Sequence, residues 1–226
     1  MLTLFHSPQS RSSAIMVLIE EMGIADRIEA RQVSIPRIDG TGHRDPANPH
    51  PEGKVPALEI EGEVLTEGPA ILQFLGDRAV NLSLAPKAGT LARARVNEVM
   101  DFFNTYLMRD YVYGLVYSRV LAHYRLPGPA QQQFIALHEP RAAKRLKALD
   151  TWIGSKTFIC GNEITIADYF GSGIVSAGEL VAYDLRAFAN VTRWMNTMKS
   201  LPTWDEVHAG FYGWRSAVEA QMKASA

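Results

Sequence analysis

The chain has 226 residues and a formal net charge of −1, from 23 basic and 24 acidic side chains. That length allows one large or two modest domains, and the balanced charge excludes a nucleic-acid binder that relies on bulk positive charge. One cysteine, Cys160, excludes an intramolecular disulfide and a C-x-x-C redox pair. No stretch is long and apolar enough to span a bilayer, and no basic-then-apolar leader opens the chain, so a cytoplasmic protein with neither membrane nor nucleic acid as partner is expected.

Residues 2–5 read as a short apolar strand, broken by Ser7-Pro8-Gln9-Ser10-Arg11-Ser12-Ser13. Ile15, Leu18, Ile19 and Met22 then recur at helical spacing, and Gly23 is a natural helix stop. Residues 28–33 give a second strand. Strand, helix, strand at this spacing is a βαβ unit with parallel strands and a right-handed crossover. Residues 35–52, rich in Pro, Gly, Asp, His and Asn, read as a loop. After Val55-Pro56 come two strands joined by Glu61-Gly62, where Gly62 can take positive φ. Gly68 is expected to be still extended, and Pro69 to open a helix to Arg78. The first domain is thus α/β in the order β-α-β-β-β-α over residues 1–80, followed by a linker over 81–89 with Pro86 and Gly89.

From residue 90 to 226 the strand signal fades and an all-α domain is expected. Val96, Val99, Phe102, Phe103, Tyr106 and Leu107 mark one long helix over 91–117. A second long helix covers 131–153, with Arg141, Lys144, Arg145 and Lys147 as a solvated basic face. Thr165-Ile166-Ala167-Asp168 carries a capping-box pattern that opens the next helix. Within it Gly171-Ser172-Gly173 is explained by close helix packing. Two short helices over 193–198 and 204–210 follow, then a loosely held helical tail over 214–222.

The six histidines show no metal-ligand spacing, and no phosphate-cradling glycine motif follows a strand. Three features carry chemistry. The helix start at Gly68-Pro69 offers free N–H groups and a positive dipole end to a carboxylate or phosphate. Glu67 beside it either complements that dipole or pairs with an ammonium, and the two together would read a zwitterionic amino-acid head. In Ser10-Arg11-Ser12-Ser13 at least one serine caps the helix, and a spare hydroxyl could stabilise an anion such as a thiolate. Tyr106, Tyr111, Tyr113 and Tyr117, with Met108 and Arg109, crowd one end of the first long helix, where an aromatic pocket could face the first domain.

The segments Leu4-Phe5-His6-Ser7-Pro8-Gln9-Ser10-Arg11-Ser12-Ser13, Gly53-Lys54-Val55-Pro56-Ala57-Leu58, Leu65-Thr66-Glu67-Gly68-Pro69-Ala70-Ile71 and Ile164-Thr165-Ile166-Ala167-Asp168-Tyr169 together resemble a cytosolic glutathione S-transferase. They lie in the right order and spacing across nearly the whole chain. The resemblance implies a thioredoxin-like first domain, an all-helical second domain, a homodimer, and glutathione as co-substrate without a metal. It implies a cis Val55-Pro56 bond in place of the trans default. It implies Val55 pairing with the cysteinyl backbone of glutathione, Lys54 near the glycyl end, and Glu67 and Gly68 at the γ-glutamyl head. Gly68 stands where the family commonly has serine. With no tyrosine or cysteine at the first strand–helix junction, the resemblance is to serine-type enzymes of the theta and zeta kind. It puts the activating hydroxyl at Ser10, with Ser12 second and Arg11 adding positive potential. Tyr106, Arg109 and Tyr113 would line the electrophile pocket, and Asp101 would reach across a dimer interface. An isomerase, dehalogenase or peroxidase on the same site, or a non-catalytic binding module, are the alternatives.

Overall fold

The computed structural model describes residues 2–8, 10, 12–36, 42–79 and 84–224, without the side chains of 222 and 224. Arg11 and the expected domain boundary at 80–83 lie outside the described residues.

Strand β1 (Leu2–His6), helix α1 (Ser13–Glu21) and strand β2 (Ile28–Gln32) form the βαβ unit. β1 runs parallel to β2, with Leu2 opposite Ile28. Strands β3 (Ala57–Ile60) and β4 (Glu63–Thr66) complete a mixed sheet in the order β2-β1-β3-β4. The two-residue turn between them has φ of 54° at Glu61 and 87° at Gly62, the doubly positive combination that matches strand twist in tight hairpins. Successive β1 residues point to opposite faces. Leu4 therefore enters the main core with Ile15 and Leu18 of α1, while Phe5 packs with Val33 and Ala57 on the other face. Helix α2 (Gly68–Arg78) begins at Gly68, one residue before the expected start, because Glu67 takes the non-helical flanking position. This is a thioredoxin-like α/β domain.

Beyond it, among the described residues, every regular element is a helix. Thr90 caps α3 (Leu91–Phe102) by accepting the Arg93 N–H at 3.3 Å. The helix runs without a break into a π-helical segment, Phe103–Tyr117, and a last short turn, α4 (Ser118–Val120). The long helix expected over 91–117 is therefore present, but its winding changes at Phe103. Helix α5 (Pro129–Ile153) opens on proline, α6 (Ile166–Val175) on the capping box, and α7 (Ala189–Lys199) follows. The expected short helix and loose tail are one helix, α8 (Trp204–Ala224), held by buried Trp204, His208 and Val218. Arg145 on α5 also departs from a purely solvated face: it reaches buried Asp110 at 3.0 Å. Among the described residues no helix is long and apolar enough to cross a membrane.

Helix α6 is buried on all sides, as a helix apolar all round must be. At its start Asp168, with no exposed surface, accepts four hydrogen bonds. Oδ1 takes the Ile159 N–H and the Trp194 Nε1–H, each at 2.9 Å. Oδ2 takes the Thr165 N–H at 2.9 Å and the Thr165 hydroxyl at 3.0 Å. Burial pushes the Asp168 carboxyl pKa up, and these donors offset only part of that rise. Farther along α6, a Cβ on Gly171 would meet the Phe103 ring at 2.3 Å, whereas one on Gly173 would meet Ala14 Cβ at 3.6 Å. Phe103 is fully buried and stacked on Trp194, so its ring has nowhere to go.

The two glycines should therefore answer to alanine with opposite signs. Gly171→Ala overpacks the core and is expected to cost about 1–3 kcal/mol, lowering the melting temperature by several degrees. Gly173→Ala makes only an ordinary contact and is expected to gain up to about 1 kcal/mol from helix propensity. Thermal denaturation of both variants beside the parent checks the pair.

Candidate active site

A cleft of about 280 Å³ opens between the sheet domain and the helices. Its floor on the first domain is Val55, Pro56, Glu67 and Gly68, with Ala14 and Ile15 of α1 behind them. The Val55-Pro56 peptide bond is cis. Asn48 ties the preceding loop to this bend: its Nδ2 donates to the Lys54 carbonyl at 3.0 Å and its Oδ1 accepts the His50 N–H at 3.0 Å. His50 and Lys54 both line the cleft. His50 Nδ1 accepts the Glu52 N–H at 3.1 Å, so the neutral ring carries its proton on Nε2 as a donor. Burial lowers the pKa of His50 against the pull of Glu52 and Glu67 and keeps the neutral form in place. Lys54 is exposed and paired with Glu52.

Glu67 sits at φ 69°, ψ 115°, a conformation L-residues avoid and one that costs about 1–3 kcal/mol. The Glu67 carbonyl accepts the first helical bond, from Ile71 N–H at 3.0 Å, while its side chain makes no capping bond. That leaves the carboxylate and the N-terminus of α2 side by side on the cleft. Gly68 has ordinary φ, and a Cβ there would lie 3.9 Å from Phe170 and from Pro56. A serine at this position would fit without displacing either.

The opposite wall is Asn104, Met108 and Tyr113 of the π-helical segment with Phe170 of α6. In an α-helix, at 100° per residue, Asn104 and Tyr113 would face opposite ways. At the wider π winding, about 4.4 residues per turn, positions nine apart fall on one face. The same geometry separates Tyr106 from Tyr113, which an α-helix would align. Tyr106 is 43% exposed and lies under the guanidinium groups of Arg109 and Arg145. Arg109 donates to buried Asp110 at 2.9 and 3.0 Å and does not line the cleft. Burial works to raise the Asp110 pKa, but Arg109 and Arg145 more than offset it and hold it at about 2. Of the three residues expected in an electrophile pocket, the cleft thus contains Tyr113. Asp101 is exposed on α3.

The serine turn lies at the other side of the first turn of α1. The Ser10 hydroxyl donates to the Ser7 carbonyl at 2.6 Å and lies 2.6 Å from the Ser12 hydroxyl. Ser12 is 1% exposed, and its hydroxyl is also 3.3 Å from the Ser7 carbonyl. Neither serine lines the main cleft; Ser10 and Ser13 line a smaller adjoining cavity of about 50 Å³. His50, Asn104 and Phe170 escaped the sequence reading. His50 sits in a loop with no motif, and the other two need the observed helix winding and packing. Among the described residues, no three His, Cys, Asp or Glu side chains are grouped to hold a metal ion.

Comparison with known proteins agrees with this architecture. Residues 7–78 match the glutathione S-transferase N-terminal domain model, and residues 118–202 match the C-terminal domain model, together more than half of the chain. Glutathione S-transferase GstA of Escherichia coli O157:H7 is 23% identical over 200 residues, 88% of this chain and 93% of that protein. A delta-class glutathione transferase of Nilaparvata lugens superposes with a TM-score of 0.78 at 22% identity, over 97% of this chain and 99% of its own. A sphingomonad glutathione S-transferase in complex with glutathione gives 0.72 at 25% identity, over 91% and 96%. The chain belongs to the glutathione S-transferase superfamily. It is a transferase with glutathione as its co-substrate.

The room beside Gly68 makes a sharp test of how the cleft holds a carboxylate. A hydrogen bond to a charged group is worth about 1.5–3 kcal/mol, so Gly68→Ser is expected to tighten glutathione binding by about tenfold or more. Isothermal calorimetry on the two proteins measures it, and an unchanged affinity would mean that a hydroxyl at this position does not reach the ligand.

Proposed function

We propose that this transferase conjugates the thiolate of glutathione to small electrophiles, with a serine of the turn before α1 stabilising the thiolate. The observation that carries the reading is the convergence on one cleft of the Val55-Pro56 bend, the Glu67 carboxylate and the N-terminus of α2. These elements suit the three parts of the tripeptide. Glu67 takes the γ-glutamyl ammonium, and the Gly68 amide with the helix dipole takes its carboxylate. The main chain of Val55 pairs with the cysteinyl backbone. Lys54 and the Nε2–H of His50 face the glycyl carboxylate.

The hydroxyl pair supports a serine-assisted mechanism of the theta and zeta kind. Ser10 Oγ is flanked at 2.6 Å by an acceptor, the Ser7 carbonyl, and by the Ser12 hydroxyl. If Ser10 turns its proton from that carbonyl to a thiolate, the Ser12 hydroxyl 2.6 Å away is placed to donate to Ser10 from behind. The helix start adds positive potential, and both effects lower a thiol pKa. Holding thiolate and electrophile together supplies the rest of the rate gain.

Replacing the hydroxyl separates these contributions. Ser10→Ala is expected to lower kcat/KM toward chlorodinitrobenzene by about tenfold to a hundredfold, in line with loss of one donor to a charged group, and to raise the pKa of the bound thiol. Ser12→Ala should show a smaller change of the same sign. An unchanged thiol pKa in Ser10→Ala would move the role away from this residue.

The same reading makes the protein a cytoplasmic homodimer. Supporting it are 73% exposed Leu91 on α3, exposed Val64 on edge strand β4, and Asp101 exposed on the same α3. Sedimentation of the protein recovered from the cytosolic fraction should give twice the chain mass, whereas a monomer at micromolar concentration would sink this part of the reading.

A further inference from the structure

On the proposed reading of the cleft, a γ-glutamyl head brings its α-carboxylate to the start of α2, where the first domain offers few donors. Gly68 has an amide but no side chain. Pro69 has no N–H at all. The Ile71 N–H is taken by the Glu67 carbonyl at 3.0 Å. Of the first helical amides those of Gly68 and Ala70 remain, whereas an ionised carboxylate accepts up to about four hydrogen bonds. A partner for the other lone pairs has to come from water or from the opposite wall.

That wall carries a donor at the right height. Asp77, near the end of α2, pairs with Arg93, near the start of α3. Counted away from this pair, Gly68 lies nine residues back and Asn104 eleven residues on. At 1.5 Å per residue these are about 13 Å and about 16 Å. Parallel helices would part the two by about 30 Å, too far for one cleft of about 280 Å³, and both line it. So α2 and α3 run antiparallel, and Asn104 comes level with the start of α2. At the other end of the wall, Tyr113 comes within electrostatic range of Lys54. Met108 and Phe170, the rest of the wall, are apolar. Asn104 is exposed, and its side chain makes no hydrogen bond to any described residue. A Cβ on Gly68 would find only Phe170 and Pro56 within 4 Å, so the space between Gly68 and Asn104 is open to a ligand.

We propose that Asn104 is a specificity-determining residue whose Nδ2–H donates to the γ-glutamyl α-carboxylate, in place of the hydroxyl that Gly68 lacks. The inference rests on the glutathione reading of the cleft and extends it by giving the helical wall a part in holding the co-substrate. A neutral donor suits the position. A lysine or arginine there would pair with Glu67 and compete with the ammonium of the ligand, and an aspartate would repel its carboxylate. An amide donates to the carboxylate and leaves Glu67 to the ammonium.

Two analogues of glutathione separate the halves of the head. Glutaryl-cysteinylglycine keeps the α-carboxylate and lacks the ammonium; 4-aminobutyryl-cysteinylglycine keeps the ammonium and lacks the carboxylate. Competition calorimetry on the parent and Asn104→Ala reads all three ligands without reference to turnover. The variant is expected to bind glutathione and the glutaryl analogue about tenfold more weakly, as for loss of one hydrogen bond to a charged group, and the aminobutyryl analogue as tightly as the parent does. Unchanged glutathione affinity, an equal loss on all three ligands, or a loss confined to the aminobutyryl analogue would each overturn the assignment. Glu67→Ala, measured alongside, tells a failure of this inference from a failure of the reading beneath it. If Glu67→Ala weakens the aminobutyryl analogue while Asn104→Ala changes nothing, only the role of Asn104 falls. If both variants bind every ligand as the parent does, the γ-glutamyl head does not sit in this cleft.

Discussion

The buried carboxylate of Asp168 is the contact on which the arrangement of both domains depends. It binds the start of α6 to the main chain at Ile159 and, through Trp194, to α7. A carboxylate without exposed surface survives only when its lone pairs are occupied, and here four donors converge on it. With its start fixed, α6 presents small residues at two set heights. Gly171 receives the Phe103 ring and Gly173 receives α1 at Ala14. Ile166 at its head lies against Gly76 of α2 so closely that a Cβ there would clash at 2.7 Å, and its N–H reaches back to the Leu84 carbonyl at 3.0 Å. The first domain is therefore seated on α6 by close backbone approach, with an ion pair from Asp77 to Arg93 alongside.

This seating fixes the distance across the cleft. Phe170 and Gly173 are one turn apart on α6, so the cleft and its small annex open on the same side of that helix. The wall facing them comes from the segment that Phe103 begins, and here the winding matters more than the sequence of side chains. At π spacing Asn104, Met108 and Tyr113 face the sheet domain together, while Phe103, Leu107 and Tyr111 turn to the core. Tyr106 and Arg109 are left on the outside, where Asp110, Arg145 and the Tyr106 ring form their own charged cluster. π-helical turns are uncommon and concentrate at functional sites; this one decides which aromatic ring lines the cleft.

That difference explains what could be read from the chain and what could not. The βαβ unit, the Glu61-Gly62 turn, the capping box at Thr165 and the packing role of Gly171 are local: each follows from a period, a turn residue, a cap or a small residue in a helix, and each is present, whereas Gly173 makes only an ordinary contact. The helical wall of the cleft is not local. Tyr106 and Tyr113 are seven residues apart, which aligns them in an α-helix and parts them in the observed one, and no residue in that run announces the change. Arg145 looked like one charge among several on a helix face because its partner, Asp110, lies 35 positions away. His50 carried no motif at all. What its ring offers the cleft comes from which nitrogen a neighbouring main-chain group occupies, a fact of the fold and not of spacing.

The polar elements on the floor of the cleft share one character. There they are main-chain or charged: the Gly68 amide, the helix N-terminus, Glu67 and Lys54. Glu67, at positive φ, keeps its side chain free of any capping bond beside the first residues of α2, and Gly68 brings no hydroxyl there. On the proposed reading such a site would read a zwitterion by its charges, which tolerate small shifts because charge falls off gently with distance. A site of that kind suits a co-substrate that must bind in every turnover.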